Sequence, residues 1–339
     1  MIISTPPQPT YPDVEPDTDS GQPIEQLSLR VPADAHGERL DKTLCALLPA
    51  FSRSYLQQRI SEGDVRSGGM ALAKASSRVR TAQLLEIVLR ETPQSQAFVP
   101  EAMDITVVHE DPHLRVINKS AGRVVHPAPG HWQGTLLNGL LALDEQAMLI
   151  PRAGIVHRLD KDTSGLMVVA RTRQAMDALV HAIAAREVRR QYLAVARGQW
   201  RWPQALELEG AIGRDPQHRQ RMAVVDLDRH PGKPARTTAV CLDQSEQACL
   251  LKCSLHTGRT HQIRVHLAHA GFPLVGDSLY GGRPMADMQR QALHAWQLAF
   301  NHPVTGQPMA FVAEPPADLM HLLAQTGLRY NEPVDDDPA

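Results

Sequence analysis

Between His157 and Ala170 the chain reads HRLDKDTSGLMVVA. Its first six residues hold a histidine, an arginine, a lysine and two aspartates, and Thr-Ser-Gly then leads into an apolar run. That run has the length and composition of a buried strand, which puts the charge at a strand's mouth. Two chemistries fit. In one, Asp160 serves an Asx or ST turn and satisfies backbone N–H groups. In the other, its carboxylate is held at the strand end as a nucleophile or general base. His157 and Asp160 supply only two donors at that spacing, so no metal site is expected.

A carboxylate kept ionised in a cleft needs a cation, because desolvation opposes its charge. Arg158 adjoins Asp160, and the segment TGRTHQIRVHL contributes Arg259 and Arg264. Arginine suits this task through its planar, permanently charged fork. Any one of these arginines could equally be a solvated or phosphate-facing charge. A third group is Tyr192 in RRQYLAV, in a chain with only five tyrosines and five phenylalanines. Core packing is the ordinary reading for a tyrosine at a strand start; a platform for stacking a nucleobase is the other.

The elements that must position these groups follow from spacing. Leu40, Leu44, Leu47 and Leu48 predict a helix ended by Pro49. Ser52 is the expected cap of a second helix, with Tyr55, Leu56 and Ile60 inward and Gly63 as its stop. DVRS and QLLEIVLR complete a small α–β module over 27–90, and ETPQSQAFVPEAM reads as a linker over 91–103. From 104 to 325, two strands join at Asp111-Pro112 and LMVVART forms another. Thr172 caps a helix with Met176, Leu179, Val180 and Ile183 on its apolar face. QYLAVARGQW and ACLLKCSLH are strands, and a helix starts at Thr260 and stops at Gly271. Strands and helices that do not alternate one for one predict an α+β fold with a mixed, mostly antiparallel sheet flanked by helices. No glycine-rich phosphate turn follows a first strand, which argues against a doubly wound fold.

The chain has 339 residues and a net charge of −2, with charge laid out unevenly. Residues 1–26 and 331–339 carry nine acidic side chains and no lysine or arginine, and acidic tails are expected over 1–26 and 326–339. Without those nine acids the body has 35 basic against 28 acidic residues, which permits a phosphate-rich partner. No apolar run is long enough to span a bilayer, and no secretory signal opens the sequence. The four cysteines form no CxxC pair, so free thiols in a cytoplasmic protein are expected.

HRLDKDTSGL, YLAV, INKSAGRVVHP and GRTHQIRVHLAHAGFPLVGDSLYGG, in this chain order, resemble the RluA-type pseudouridine synthases over about residues 104–315. RLDKTL, SRS and ISEGDV are similar to an S4 RNA-binding domain. The resemblance implies a pseudouridine synthase fold, an isomerase, and an active site of Asp160, Tyr192 and Arg264. Asp160 would attack the target nucleoside so that uracil detaches, rotates and rejoins through C5. Tyr192 would stack on the base and assist proton transfer, while Arg264 would ion-pair with Asp160. Arg158 would enter the RNA stack vacated by the uridine, with His157, Arg259 and Lys119 contacting RNA beside it. Arg53 and Arg59 would do so in the S4-like module. An isomerisation requires no cofactor.

The implied partner is large-subunit ribosomal RNA, at the helix-69 stem-loop, free or in a pre-ribosomal 50S particle, with the enzyme acting as a monomer. Two departures stand out: Ser120 replaces the usual proline after INK, and VRSGG replaces a Val-Asn-Gly turn. A synthase acting on transfer RNA and a non-catalytic ribosome-assembly factor are the competing readings. Retention of Asp160, Tyr192 and Arg264 favours an enzyme over the second.

Overall fold

Apolar spacing yields the two helices it predicts: α1 spans Leu40–Leu47 and α2 spans Arg53–Ser61. This computed structural model describes residues 23–49, 51, 53–90, 97–128, 130–218 and 220–330. Ser52 and the tail residues 1–22 and 331–339 lie outside the described residues, as do linker residues 91–96. The chain divides into two compact units, Met1–Gln96 and Ala97–Ala339.

In the first unit Leu40, Leu44, Leu56 and Ile60 face the inner side of a four-stranded sheet. Its strands are β1 (Pro23–Arg30), β2 (Val65–Ser67), β3 (Met70–Ala71) and β4 (Leu84–Arg90), all paired antiparallel in the order β1-β4-β2-β3. β4 alternates as a half-buried strand should, with Leu85, Ile87 and Leu89 inward. β1 starts at Pro23, so residues 23–26 belong to this sheet and not to a tail.

The second unit is built on a ten-stranded sheet ordered β10-β9-β11-β12-β8-β13-β7-β6-β5, with β14 added on β13. The strands are β5 (Thr106–Glu110), β6 (Leu114–Lys119), β7 (Ser164–Ala170), β8 (Arg189–Arg197), β9 (Leu206–Arg214), β10 (Met222–Val225), β11 (Gly232–Gln244), β12 (Ala248–Leu255), β13 (Leu293–Asn301) and β14 (Pro308–Val312). Among the described residues only β13 and β7 run parallel, which matches the mixed, mostly antiparallel expectation. Every residue of β7 is buried. Met167 and Val169 face one core and Leu166, Val168 and Ala170 another, which explains the unbroken apolar run. Gly165 is required where β13 joins it. Its φ is +116°, and an added Cβ would lie 2.2 Å from the Ala295 carbonyl oxygen.

Four helices flank the sheet: α3 (Leu136–Leu143), α4 (Arg173–Ala185), α5 (Gln262–His269) and α6 (Ala317–Thr326). Thr172 caps α4 as expected, accepting from the Ala175 N–H. Val180 is exposed, however, and Ala175 and Leu179 hold the buried face. Residues 97–103, expected as linker, are bound to α3, where Asn138 Nδ2 donates to the Val99 carbonyl (2.8 Å). Residues 326–330, expected as tail, are also packed. Leu328 is buried, and Trp296 Nε1 donates to the Tyr330 hydroxyl at 2.9 Å.

Candidate active site

Asp160 stands in a tight turn between buried Leu159 and β7, closed by the Thr163 N–H donating to the Asp160 carbonyl (3.1 Å). Three side chains fix that turn from outside. Lys119, at the end of β6, donates to the Lys161 carbonyl (2.9 Å), Arg290 to that of Asp162 (3.0 Å), and Gln291 to the Thr163 hydroxyl (3.3 Å). The Asp160 side chain keeps 17% of its surface open, toward a cleft of about 650 Å³. Among the described residues six arginines line that cleft, Arg152, Arg158, Arg186, Arg190, Arg259 and Arg264, and Asp160 is the sole carboxylate in its lining. Positive side chains outnumber negative ones in that lining, which suits an anionic ligand.

Arg264 in the first turn of α5 donates through one Nη to Asp160 Oδ2 at 3.0 Å. That is the expected ion pair, but the two-pronged grip of the fork belongs to a different carboxylate. Asp277, buried, takes Nε and the other Nη at 2.7 and 2.9 Å. Burial works against the charge of Arg264. The hydrogen bonds and charges of Asp277, then of Asp160, outweigh it, and its pKa is raised above the usual arginine value. The Tyr280 ring lies 5.0 Å from the guanidinium, adding cation–π support.

Tyr280 also reaches His261. Its hydroxyl accepts from the Met222 N–H (3.0 Å) and lies 2.8 Å from His261 Nδ1. This favours the tautomer whose Nε2–H faces Asp160 Oδ1, 4.0 Å away. Burial lowers the pKa of His261 and favours the neutral ring. His261 holds a left-handed backbone, φ 56° and ψ 23°, so α5 starts at Gln262, two residues after the expected Thr260. Such a conformation in a non-glycine residue costs on the order of 1 kcal/mol. Asp277, His261 and Tyr280 escaped the residue-by-residue reading. The signal available was an aspartate within VGDSLYGG, where glycines and apolar residues predict burial and hence a cationic partner.

Tyr192, on β8, is buried and lines the same cleft. Burial pushes its phenol up to about 12, with Arg190 opposing and Asp160 adding to the shift, so it is neutral at ordinary pH. Asp160, Tyr192 and Arg264 thus meet in one cleft although far apart in sequence.

The expected RNA contacts divide. Arg158 is exposed on the cleft wall, and Arg259 lines the cleft while its Nε donates to the Pro234 carbonyl. His157 also lines it, but its Nε2 accepts the Val168 N–H (3.1 Å). Burial and the Arg190 charge hold it down to about 3. Lys119 does not reach solvent. It is buried, all three N–H groups are spent on the carbonyls of Ser120, Arg123 and Lys161, and burial lowers its pKa to about 7. It holds the Asp160 turn and offers no donor to RNA. In the first unit Arg53 is largely exposed while bonded to Asp41. Arg59 is buried against Asp64 and Glu62, and so is not available to a phosphate. No helix among the described residues is long and apolar enough to cross a membrane.

Comparison with known proteins gives a consistent result. A family model described as RNA pseudouridylate synthase matches residues 113–269. The Ribosomal large subunit pseudouridine synthase D of Neisseria meningitidis is 45% identical over 310 residues, 88% of this chain and 81% of that protein. The protein of that name from Xanthomonas campestris is 43% identical over 325 residues, 90% of this chain and 94% of its own. Among solved structures, Human RNA Pseudouridylate Synthase Domain Containing 4 aligns with a TM-score of 0.53 at 24% identity. That alignment covers 66% of this chain and 94% of that one, and the likeness is one of fold.

Proposed function

The chain belongs to the RNA pseudouridylate synthase family and is an RNA isomerase, and from that premise we propose that it converts specific uridines of large-subunit ribosomal RNA to pseudouridine. The observation that carries the reading is the Asp160 carboxylate, held by one Arg264 N–H and open to a cleft lined by Tyr192 and arginines. The names of the relatives support the ribosomal target; within it we propose the helix-69 stem-loop, which the family resemblance implies.

The target uridine leaves the RNA stack and enters the cleft, because the reacting atoms cannot be reached inside a helix. Arg158, exposed at the rim, fills the vacated place. Asp160 attacks the nucleoside and bonds to it, the N1–C1′ bond breaks, uracil turns, a C5–C1′ bond forms, and the bond to Asp160 breaks to restore its carboxylate. C5 then gives up its proton and N1, freed of the sugar, takes one up, so nothing is gained or lost overall. Tyr192 stacks on the base and, with its phenol neutral, can pass that proton. Arg264 acts through Asp160 by fixing its orientation, and Asp277 fixes Arg264. The first unit acts as an S4-like RNA-binding module, with exposed Arg66 and Lys74 available to phosphates.

Mapping pseudouridines in a deletion strain tests the target. The expected result is loss of pseudouridine in large-subunit RNA, restored by the wild-type chain and not by Asp160→Asn. Loss confined to transfer RNA would move the substrate. An unchanged map, with purified protein releasing no tritium from C5-labelled RNA, would favour a non-catalytic assembly role.

A further inference from the structure

Four arginines are buried among the described residues: Arg59, Arg115, Arg190 and Arg264. Three of them hold carboxylates, on Asp64, Glu110 and Asp277 respectively. Arg190 is the exception. It is 7% exposed and lines the cleft, yet it makes no side-chain hydrogen bond or ion pair to any described residue, and its Nε is enclosed without an acceptor. A buried cation without a counter-charge is costly, and folded chains carry one where a ligand supplies the anion.

Its surroundings are arranged to keep the guanidinium in place. Arg190 and Tyr192 lie two residues apart on β8, so both side chains leave the same face of the strand. Gly258, in the turn before α5, lies over the guanidinium, and a Cβ there would come within 3.0 Å of Nη1. The Gly258 backbone has no left-handed φ that would itself call for glycine, so the missing side chain serves the space. Asp160, the only acid of the cleft lining among the described residues, is already engaged by Arg264.

We infer that Arg190 is the phosphate receptor of the cleft, its fork taking the RNA backbone phosphate next to the nucleotide on which Tyr192 stacks. The inference rests on the reading that RNA enters this cleft. Arginine fits the role because its parallel N–H groups match two phosphate oxygens.

The test is an interference scan. Single neutral methylphosphonate linkages are placed in turn on either side of the target uridine in a ribosomal RNA fragment, and binding to the full-length chain is measured. One linkage should weaken wild-type binding by about 10- to 100-fold. Arg190→Gln should weaken binding to the all-phosphate RNA by a similar factor, become indifferent to that linkage, and flatten the log–log salt slope by about 0.7 to 0.9. Gly258→Val keeps the arginine but displaces its guanidinium, and should lose the same sensitivity. The wild-type scan stands even if Arg190→Gln fails to fold. Pseudouridine formation by wild-type protein on the same fragment runs in parallel. An inert wild type would defeat the functional reading. An active enzyme with no sensitive linkage, or with losses from linkage and Arg190→Gln that simply multiply, would overturn the role of Arg190.

Discussion

Arg-Leu-Asp-Lys occurs twice in this chain, at 39–42 in the first unit and at 158–161 in the second. In both copies the leucine is buried and anchors the segment. The aspartates then part company. Asp41, in the first turn of α1, is fully enclosed and receives Arg39 (3.0 Å), Arg53 (2.8 Å) and Gln57 (2.7 Å). The Arg39 bond, with those of Arg53 and Gln57, outweighs burial and holds its carboxyl far below the usual carboxylate range. Asp160 lies in a turn with one guanidinium N–H at 3.0 Å, a histidine 4.0 Å away and its remaining lone pairs facing the cleft. Arg39 folds back on its own aspartate, whereas Arg158 points outward. A saturated carboxylate is structure; one with open lone pairs and a fixed orientation can do chemistry.

The largest effect should come from removing charge at the second copy. Asp160→Asn keeps size and shape but removes the carboxylate proposed as nucleophile, and turnover should fall about 10³- to 10⁶-fold with binding retained. Tritium release from C5-labelled RNA, measured beside a binding assay, checks it. Near-normal turnover in that variant would erase the contrast between the two aspartates.

Arg264→Lys should rank second. Three guanidinium N–H groups are engaged, two on Asp277 and one on Asp160, and a single ammonium cannot reproduce that fork. A fall of about 10²-fold in the single-turnover rate is expected, with a smaller change in affinity. A normal rate would mean that Asp160 is oriented by its turn alone.

The smallest effect belongs to the first copy, and it is on stability. Asp41→Asn should cost about 2 kcal/mol, the scale of hydrogen bonds to a charged group, while the saturating rate holds. Because folding lowers the pKa of Asp41, its contribution is fully present above the unfolded value near 3.9. It is lost as pH falls through the lower folded value. Thermal unfolding of wild type and variant should therefore converge as pH is taken from about 5 toward 2. A gap that stays constant over that range would show that the Asp41 charge is not what stabilises α1.

Local spacing determined the elements. Leu40, Leu44, Leu56 and Ile60 at helical spacing, alternation in LLEIVLR and the apolar run after Asp160 depend on neighbours a few residues away, and each formed as its pattern requires. The motifs also named Asp160, Tyr192 and Arg264, since their residue types and order carry the family resemblance. Tertiary structure alone decided which charge meets which. Arg264 reaches Asp160 across 104 residues and spends its fork on Asp277. Lys119 and Arg59, expected to contact RNA, are buried and already bonded. The identical tetrapeptide at 39 and 158 gives the physical reason. A side chain's reach and backbone preference are local properties, but its solvation and its partners are set by whatever the rest of the chain packs against it.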